Sequence, residues 1–390
     1  RKCFMWTWPP VALTLLLAST LTVMSGATIS PALPRIAAAF ADEPNAEFLV
    51  RLVLTIPALF IVVGGPIAGW IVDTQGRRTL FLVALAGYAA AGVSGAFAGS
   101  LTELLIGRAL LGISVAGVMT ASTTLLIDSF EGPARMKLLG SQAAFASGGG
   151  VVFVLAGGAL SEVGWQAPFY IYLFSLVVLA LAVLYIPEPP RAAAPVGPQA
   201  GTRMPLVWAI YAAGFMSQVA FYSIPLQLPF LLKEEYGVTG TGAGFAIAVS
   251  TLFMAATSLN FFRLRTWMDY PRFITLAFAM MGVGFIVIAA SHTLALMLVG
   301  LAVVGTSFGL LMPPSSSWLS ELASLSNRGR VMGGMGTAIF LGQFLSPVIT
   351  APIWASGNYH FAYSLTGGAL LAAALGSVFV LRRVQRVNAP

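Results

Sequence analysis

The stretch Gly69-Trp70-Ile71-Val72-Asp73-Thr74-Gln75-Gly76-Arg77-Arg78 stands between two long apolar runs, 51–71 and 80–99. Each run has about 20 residues, the length an α-helix needs to cross ~30 Å of hydrocarbon. Between them lie an acid, a glycine and two arginines, groups that belong in water rather than in lipid. The break therefore reads as a tight polar turn joining two membrane helices.

The same alternation continues in both directions. Further apolar runs fall at 10–33, 102–127, 139–160, 167–187, 205–232, 243–262, 273–290, 294–314, 331–355 and 361–381, so twelve transmembrane helices are expected. Composition agrees: 58% of the 390 residues are hydrophobic and 8% are charged, against about 45–50% and 25% in soluble domains. A backbone in lipid must satisfy its own hydrogen bonds as a helix or a closed barrel. Barrel strands alternate apolar and polar residues over ~10 positions, which these runs do not. The run from Val11 to Ile29 behind Arg1 and Lys2 is longer than the core of a secretory signal and leads into further spans, so it is expected to remain as the first helix.

Charge sets the orientation. With the N-terminus in the cytoplasm, sixteen of the twenty basic residues face inward, among them Arg77, Arg78, Arg135, Lys137, Arg263, Arg265, Arg272, Arg328 and Arg330. Arg35, Arg51 and Lys233 face outward, and Arg108 lies within a span. This asymmetry places both termini inside. It accounts for the net charge of +7 without a nucleic-acid partner. Richness in alanine and glycine points, by association, to a bacterial plasma membrane, the inner membrane. Cys3, His292 and His360 are too few for a disulfide framework, a Cys/His metal site or a Cys-His nucleophile. No metal, cofactor or enzymatic constellation is expected.

Residues 188–204 form a Pro/Ala/Gly-rich polar segment at mid-chain, of the kind that separates units moving relative to one another. Residues 1–187 and 205–390 are expected to form one bundle each. The two halves match at an offset of 193 residues: Gly107, Gly112, Ser114, Met119, Ser122, Arg135 and Gly140 find Gly300, Gly305, Ser307, Met312, Ser315, Arg328 and Gly333, and Asp128 finds Glu321. This reads as a parallel duplication with a substrate site near the midplane between halves.

With its glycines, acid and paired basic residues, the 69–78 stretch resembles the loop between helices two and three of the major facilitator superfamily. The resemblance covers the whole chain. It implies an all-α membrane protein with twelve transmembrane helices in two pseudo-symmetric six-helix bundles, a monomer that carries a small molecule through the bilayer by alternating access. The expected cytoplasmic gate is Gly69, allowing close helix approach, Asp73, capping a facing helix N-terminus, Gly76, making the turn, and Arg77 and Arg78, supplying charge-assisted bonds. Asp128 and Arg135 are the expected further partners. The plainer alternatives are topological anchors for the arginines and a solvated carboxylate for Asp128. In the second half Phe261–Arg272 keeps basic residues without the glycine frame, so the latch is expected to be asymmetric.

Arg108 in Gly107-Arg108-Ala109-Leu110-Leu111-Gly112 is the charge within a span, and such a residue is functional by default. It resembles the arginine motif of the family's helix four, with Leu111 where glutamine is frequent; its repeat mate is Leu301. The alternative is that it snorkels to the interface. The run Ser147–Gly158 keeps the final glycines of the Gly-Pro-x-x-Gly-Gly signature of drug:proton antiporters but has Phe153 and Val154 in place of Gly-Pro. Close helix packing is the other reading of those glycines. Pro31–Ile36, Gly164–Phe169 and Arg328–Gly333 with Gln343 also resemble the drug-exporter branch, in which some members carry an acid where Ser25 stands.

None of the thirteen acids falls at mid-membrane. Proton coupling would then use a peripheral acid such as Glu103 or Asp128, or a proton carried on the substrate. Span seven sets Tyr211, Phe215, Gln218, Tyr222, Pro225 and Pro229 on one face, a stripe that suits either helix packing or a substrate wall with a kinked outer half. Ser25, Thr28, Gln142, Phe145, Phe340 and Gln343 are further cavity candidates. The expected activity is export of a small amphipathic or lipophilic organic molecule, with protons among the partners and Arg108 meeting any anionic group. The alternatives are an importer or facilitator for one metabolite, and a nontransporting receptor.

Overall fold

The computed structural model describes residues 9–188, 204–324, 327–354 and 357–387; most of the expected linker therefore lies outside the described residues, as do Cys3 and both terminal basic residues Arg1 and Lys2. Twelve helices among the described residues are long and apolar enough to cross a membrane. They are α1 Pro10–Ala27, α2 Ala46–Gln75, α3 Arg77–Val93, α4 Leu101–Ser129, α5 Gly132–Val163 and α6 Phe174–Tyr185, the last preceded by a 3₁₀ segment at Ala167–Leu173. The rest are α7 Met204–Tyr236, α8 Thr241–Leu259, α9 Tyr270–Ala289, α10 Leu294–Leu322, α11 Arg328–Trp354 and α12 Tyr359–Val387.

Several helices outrun their apolar stretches, because hydropathy marks the thickness of hydrocarbon while a helix continues into water on its own hydrogen bonds. Two prolines set the opposite outcome at the first span. Expected as one helix over 10–33, it stops at Ala27, passes through a 3₁₀ turn at Ser30–Ala32 and resumes as Leu33–Ala39, with Pro31 and Pro34 near the starts of the last two pieces. Proline lacks an N–H and fits best in a first helical turn, which is where both of these stand. Pro225 and Pro229 do not break α7, which runs unbroken from Met204 to Tyr236.

Large apolar side chains point outward along the helices, including Val63, Ile67, Trp70, Val83, Leu184, Trp208 and Leu375, all more than half exposed. In water this would be an aggregation surface; against lipid tails it is the expected face. Inside, two clusters form. One is built almost wholly from α1–α6 but includes Leu226 of α7, and the other almost wholly from α7–α12 but includes Val154 of α5.

The 193-residue repeat has a structural echo. A side chain at Gly112 would strike the Pro57 carbonyl oxygen, and one at its mate Gly305 would strike the Ser250 carbonyl oxygen; Ser250 is 193 residues beyond Pro57. The same close crossing thus recurs between α2 and α4 and between α8 and α10.

The two ends of the molecule differ. At the end away from the 69–78 turn the halves touch directly. Ser30 Oγ donates to the Pro225 carbonyl at 2.5 Å, Thr241 N donates to the Glu162 carboxylate at 2.9 Å, and the Arg51 guanidinium lies 5.7 Å from the Phe230 ring centroid. Gly158 leaves so little space that an added Cβ would lie 2.6 Å from the Gly240 carbonyl oxygen. Toward the basic end, the end of the 69–78 turn, a cavity of 360 Å³ opens between α2, α4 and α11.

Candidate functional site

The 69–78 turn is built around Gly76, whose φ of 103° and ψ of 158° are essentially closed to side-chain-bearing residues. There the chain reverses from α2 into α3, leaving the first N–H groups of α3 without helical partners. Glu188 supplies them: its carboxylate accepts from Arg77 N at 2.8 Å and Arg78 N at 3.0 Å. A negative group at a helix N-terminus also meets the positive end of the helix dipole. Glu188 was not singled out in the sequence, because a side-chain cap on backbone leaves no charge pairing to notice. The available signal was an isolated acid directly after the sixth span, at the end where α3 begins.

Gly76→Ala combines a forbidden backbone with a Cβ placed 2.7 Å from Glu188 Oε1. The variant is expected to lose about 1–3 kcal/mol of stability, read as a lowered thermal unfolding midpoint in detergent. An unchanged midpoint would mean the turn is not held as described.

Arg77 pairs with Asp128, Nε to Oδ2 at 3.0 Å, with the two side chains 9% and 11% exposed. Asp128 is thus bound to a turn arginine rather than solvated. Arg78 turns the other way and donates Nη2–H to the Val183 carbonyl at 3.2 Å. Arg135 donates to the Phe130 carbonyl at 2.6 Å, so it braces its own loop and not the turn. Asp73 is exposed and makes no hydrogen bond or ion pair among the described residues. Among the described residues, and apart from its own helix, nothing lies within 4 Å of where a Gly69 Cβ would stand; the close approach expected there is not made in this conformation.

The second half repeats the arrangement with other chemistry. Tyr270, 193 residues beyond Arg77, donates its hydroxyl to Glu321, the mate of Asp128, and the Arg265 guanidinium stacks 4.2 Å from the Tyr270 ring centroid. Asp269 caps α9 by accepting from Arg272 N. A hydrogen bond from a neutral hydroxyl to the carboxylate stands where the first half has an ion pair.

Arg108 is 1% exposed. It does not snorkel: its guanidinium turns into the protein, with Nε donating to Val53 O at 3.0 Å, Nη1 to the Tyr172 hydroxyl at 2.8 Å and Nη2 to Ser25 O. The Tyr172 hydroxyl also donates to Ser25 O at 3.1 Å. One planar fork therefore ties α1, α2 and the segment before α6. Among the described residues no carboxylate lies within bonding distance of it. A buried cation held only by neutral acceptors keeps an unbalanced positive charge, which suits a negative or acceptor-rich group. The Ser25 hydroxyl itself donates to Thr22 O at 2.9 Å, so Ser25 serves Arg108 through its backbone. Tyr222 reaches the same region from α7: its hydroxyl lies 2.7 Å from where a Gly26 Cβ would stand.

The other candidates do not gather at one place. Thr28 is fully buried and donates to Met24 O at 2.8 Å. Gln218 is buried with Oε1 unpartnered and packs on Gly342, while Tyr211 of the same stripe donates to Val331 O at 2.6 Å. That stripe is in good part a packing face against α11. Phe340 lines the 360 Å³ cavity with Ile61, Met119 and Thr120. Gln142, Phe145 and Gln343 are half-buried. Glu103 accepts from Gly99 N at 2.8 Å while its own N–H bonds Ser100 Oγ at 3.2 Å, a local helix cap.

The sequence profile described as Major Facilitator Superfamily matches residues 15–264 and 210–390. Multidrug resistance protein 1 of Bacillus subtilis (strain 168) is 24% identical over 317 residues, covering 79% of this chain and 81% of that protein. The bacillibactin exporter of the same organism is 22% identical over 333 residues, covering 80% and 83%. Among solved structures, a D-xylose-proton symporter superposes with a TM-score of 0.78 at 17% identity over 94% of this chain and 96% of that one, a likeness of fold.

Proposed function

The chain belongs to the major facilitator superfamily and is a multi-pass membrane transport protein; from that premise we propose that it exports a small amphipathic or lipophilic organic molecule by alternating access. The observation that carries this reading is the difference between the two ends, bridged at one by Ser30–Pro225 and Glu162–Thr241 and opened at the other by a cavity. A carrier caught facing one side has this asymmetry; a pore or a static receptor has no need of it. Residues 1–187 and 205–390 are the rocking units, joined by 188–204, and the chain works as a monomer in a bacterial inner membrane. The basic end, with both termini, faces the cytoplasm, so this conformation is open inward.

Three features favour amphipathic cargo moving outward. The cavity wall is apolar and glycine-rich, with Ile61, Val62, Pro66, Met119 and Phe340. Arg108 offers a buried cation on the far side of the centre, beyond which the exit is shut. Relatives at low identity are named for multidrug resistance and for bacillibactin export. In the cycle Asp73 closes the cytoplasmic side, while Arg77, Asp128 and Glu188 hold the turn that presents it. Protons are the proposed driving ion. Glu103 is held in its helix cap and Asp128 in its pair with Arg77, so coupling through either acid requires that bond to open, and a proton carried on the substrate is the other route.

The test is uptake of lipophilic dyes by proteoliposomes under an imposed pH gradient, comparing wild type with Asp73→Asn. Gradient-driven movement in wild type, reduced at least tenfold in the variant, is the expected result. Movement of the same dyes indifferent to the gradient would replace coupled export with facilitation.

A further inference from the structure

Glu162 is the penultimate residue of α5, and its carboxylate crosses to the other half. Oε1 accepts the N–H of Thr241, the first residue of α8, at 2.9 Å. Arg35, on the short helix Leu33–Ala39, donates Nη1–H to the Glu162 carbonyl at 3.1 Å. Gly240, at φ 54°, completes the seat, since a Cβ there would press on the Glu162 side chain. The acid thus satisfies an N–H that no helical carbonyl reaches and meets the positive end of the α8 dipole.

This arrangement mirrors the basic end. Asp73 lies near the C-terminus of α2, α2 packs against α11, and α11 begins at Arg328 on the same side of the molecule as Asp73. Glu162 lies near the C-terminus of α5, α5 packs against α8, and α8 begins at Thr241 on the same side as Glu162. Each six-helix half of this fold is itself two inverted triplets, which makes α5 the upside-down counterpart of α2. In this conformation Glu162 is bonded, while Asp73 is exposed and unbonded among the described residues.

We propose that Glu162 and Asp73 are alternating caps: each closes one end of the transporter by capping the N-terminus of a facing second-half helix, and the two are never made together. Glu162 is then a positioning residue that holds the inward-open state, with Arg35 fixing the α5 end that carries it. The proposal rests on the rocking reading above. It differs from that reading in assigning the balance between states to Glu162, an acid that lies outside the motifs of the sequence.

The test is distance measurement between spin labels in proteoliposomes, in a Cys3→Ser background. One pair, Asp42→Cys with Lys233→Cys, reports the outer end; the other, Gln75→Cys with Arg330→Cys, reports the basic end; all four sites are exposed. Loss of a helix cap changes an equilibrium by about fivefold. Glu162→Ala is expected to raise the outer-open to outer-closed ratio by about that factor, with the basic-end pair drawing together. Glu162→Gln, whose amide oxygen still accepts from Thr241 N, gives a smaller shift in the same direction. Asp73→Ala shifts both pairs oppositely, and its combination with Glu162→Ala returns toward wild type. Two populations that respond to Asp73→Ala but not to Glu162→Ala or Glu162→Gln overturn the alternating caps alone. A single population at each end, unmoved by any variant, overturns the rocking reading and the caps together.

Discussion

Arg108→Ala is expected to abolish transport of every compound the wild-type chain moves, while leaving a folded protein of reduced stability. Removing the fork strands the Val53 carbonyl oxygen in a buried site and leaves the Tyr172 hydroxyl and the Ser25 carbonyl oxygen with only each other. Each buried acceptor left unpaired costs about 1–3 kcal/mol. The loss is partly offset because a desolvated cation also disappears. Arg108→Lys keeps the charge but cannot reach three acceptors on two helices and a 3₁₀ segment from one ammonium. It is expected to transport at below about a tenth of the wild-type rate. Tyr172→Phe, which removes a single hydroxyl, falls between. Initial rates in proteoliposomes, normalised to monodisperse protein, decide the matter. Near-normal rates in Arg108→Ala would reduce Arg108 to a helix tie.

The second large effect separates two adjacent glycines. Gly157 lies against the backbone of Thr28, within the first half, whereas Gly158 lies against Gly240 and Gly244 of the second. A side chain on Gly157 damages packing in both conformations of a rocking carrier. A side chain on Gly158 obstructs only the state in which the outer ends meet. Overpacking of this kind costs about 1–3 kcal/mol. Gly157→Val is therefore expected to lower the thermal midpoint, and Gly158→Val to leave it nearly unchanged while stopping turnover with the outer end held open. Equal melting losses in both variants would contradict the assignment of Gly158 to a moving seam. The two glycines read alike in sequence, yet in the structure one packs within a half and the other between halves.

Much of this architecture was legible because lipid is an exacting solvent. With no water to satisfy a backbone amide, apolar runs of sufficient length had to become helices, and twelve did. The Arg77–Asp128 pair was legible from charge and loop position alone. What stayed hidden depends on backbone and on conformation. Arg108 takes two of its three acceptors from main-chain carbonyls, which carry no sequence signature, and the third from a neutral tyrosine in a 3₁₀ segment. Glu188 and Glu162 both act on helix N–H groups, so neither is announced by an opposite charge. The contacts expected of Gly69 and Asp73 are those of a closed end, and among the described residues neither side chain position makes them. The span-seven stripe was ambiguous in sequence because packing against α11 and facing a cavity require the same periodicity.

The most direct test of the central claim, that this chain carries its cargo by alternating access, is exchange across the membrane of proteoliposomes. Vesicles preloaded with an unlabelled lipophilic dye are placed in a trace of the same dye carrying a radiolabel, with no ion gradient. A rocking carrier predicts transient accumulation of label above its outside concentration, dependent on the preloaded dye and lost in Gly158→Val. Saturable binding of label that is indifferent to what lies inside would instead describe a receptor, and would contradict the account.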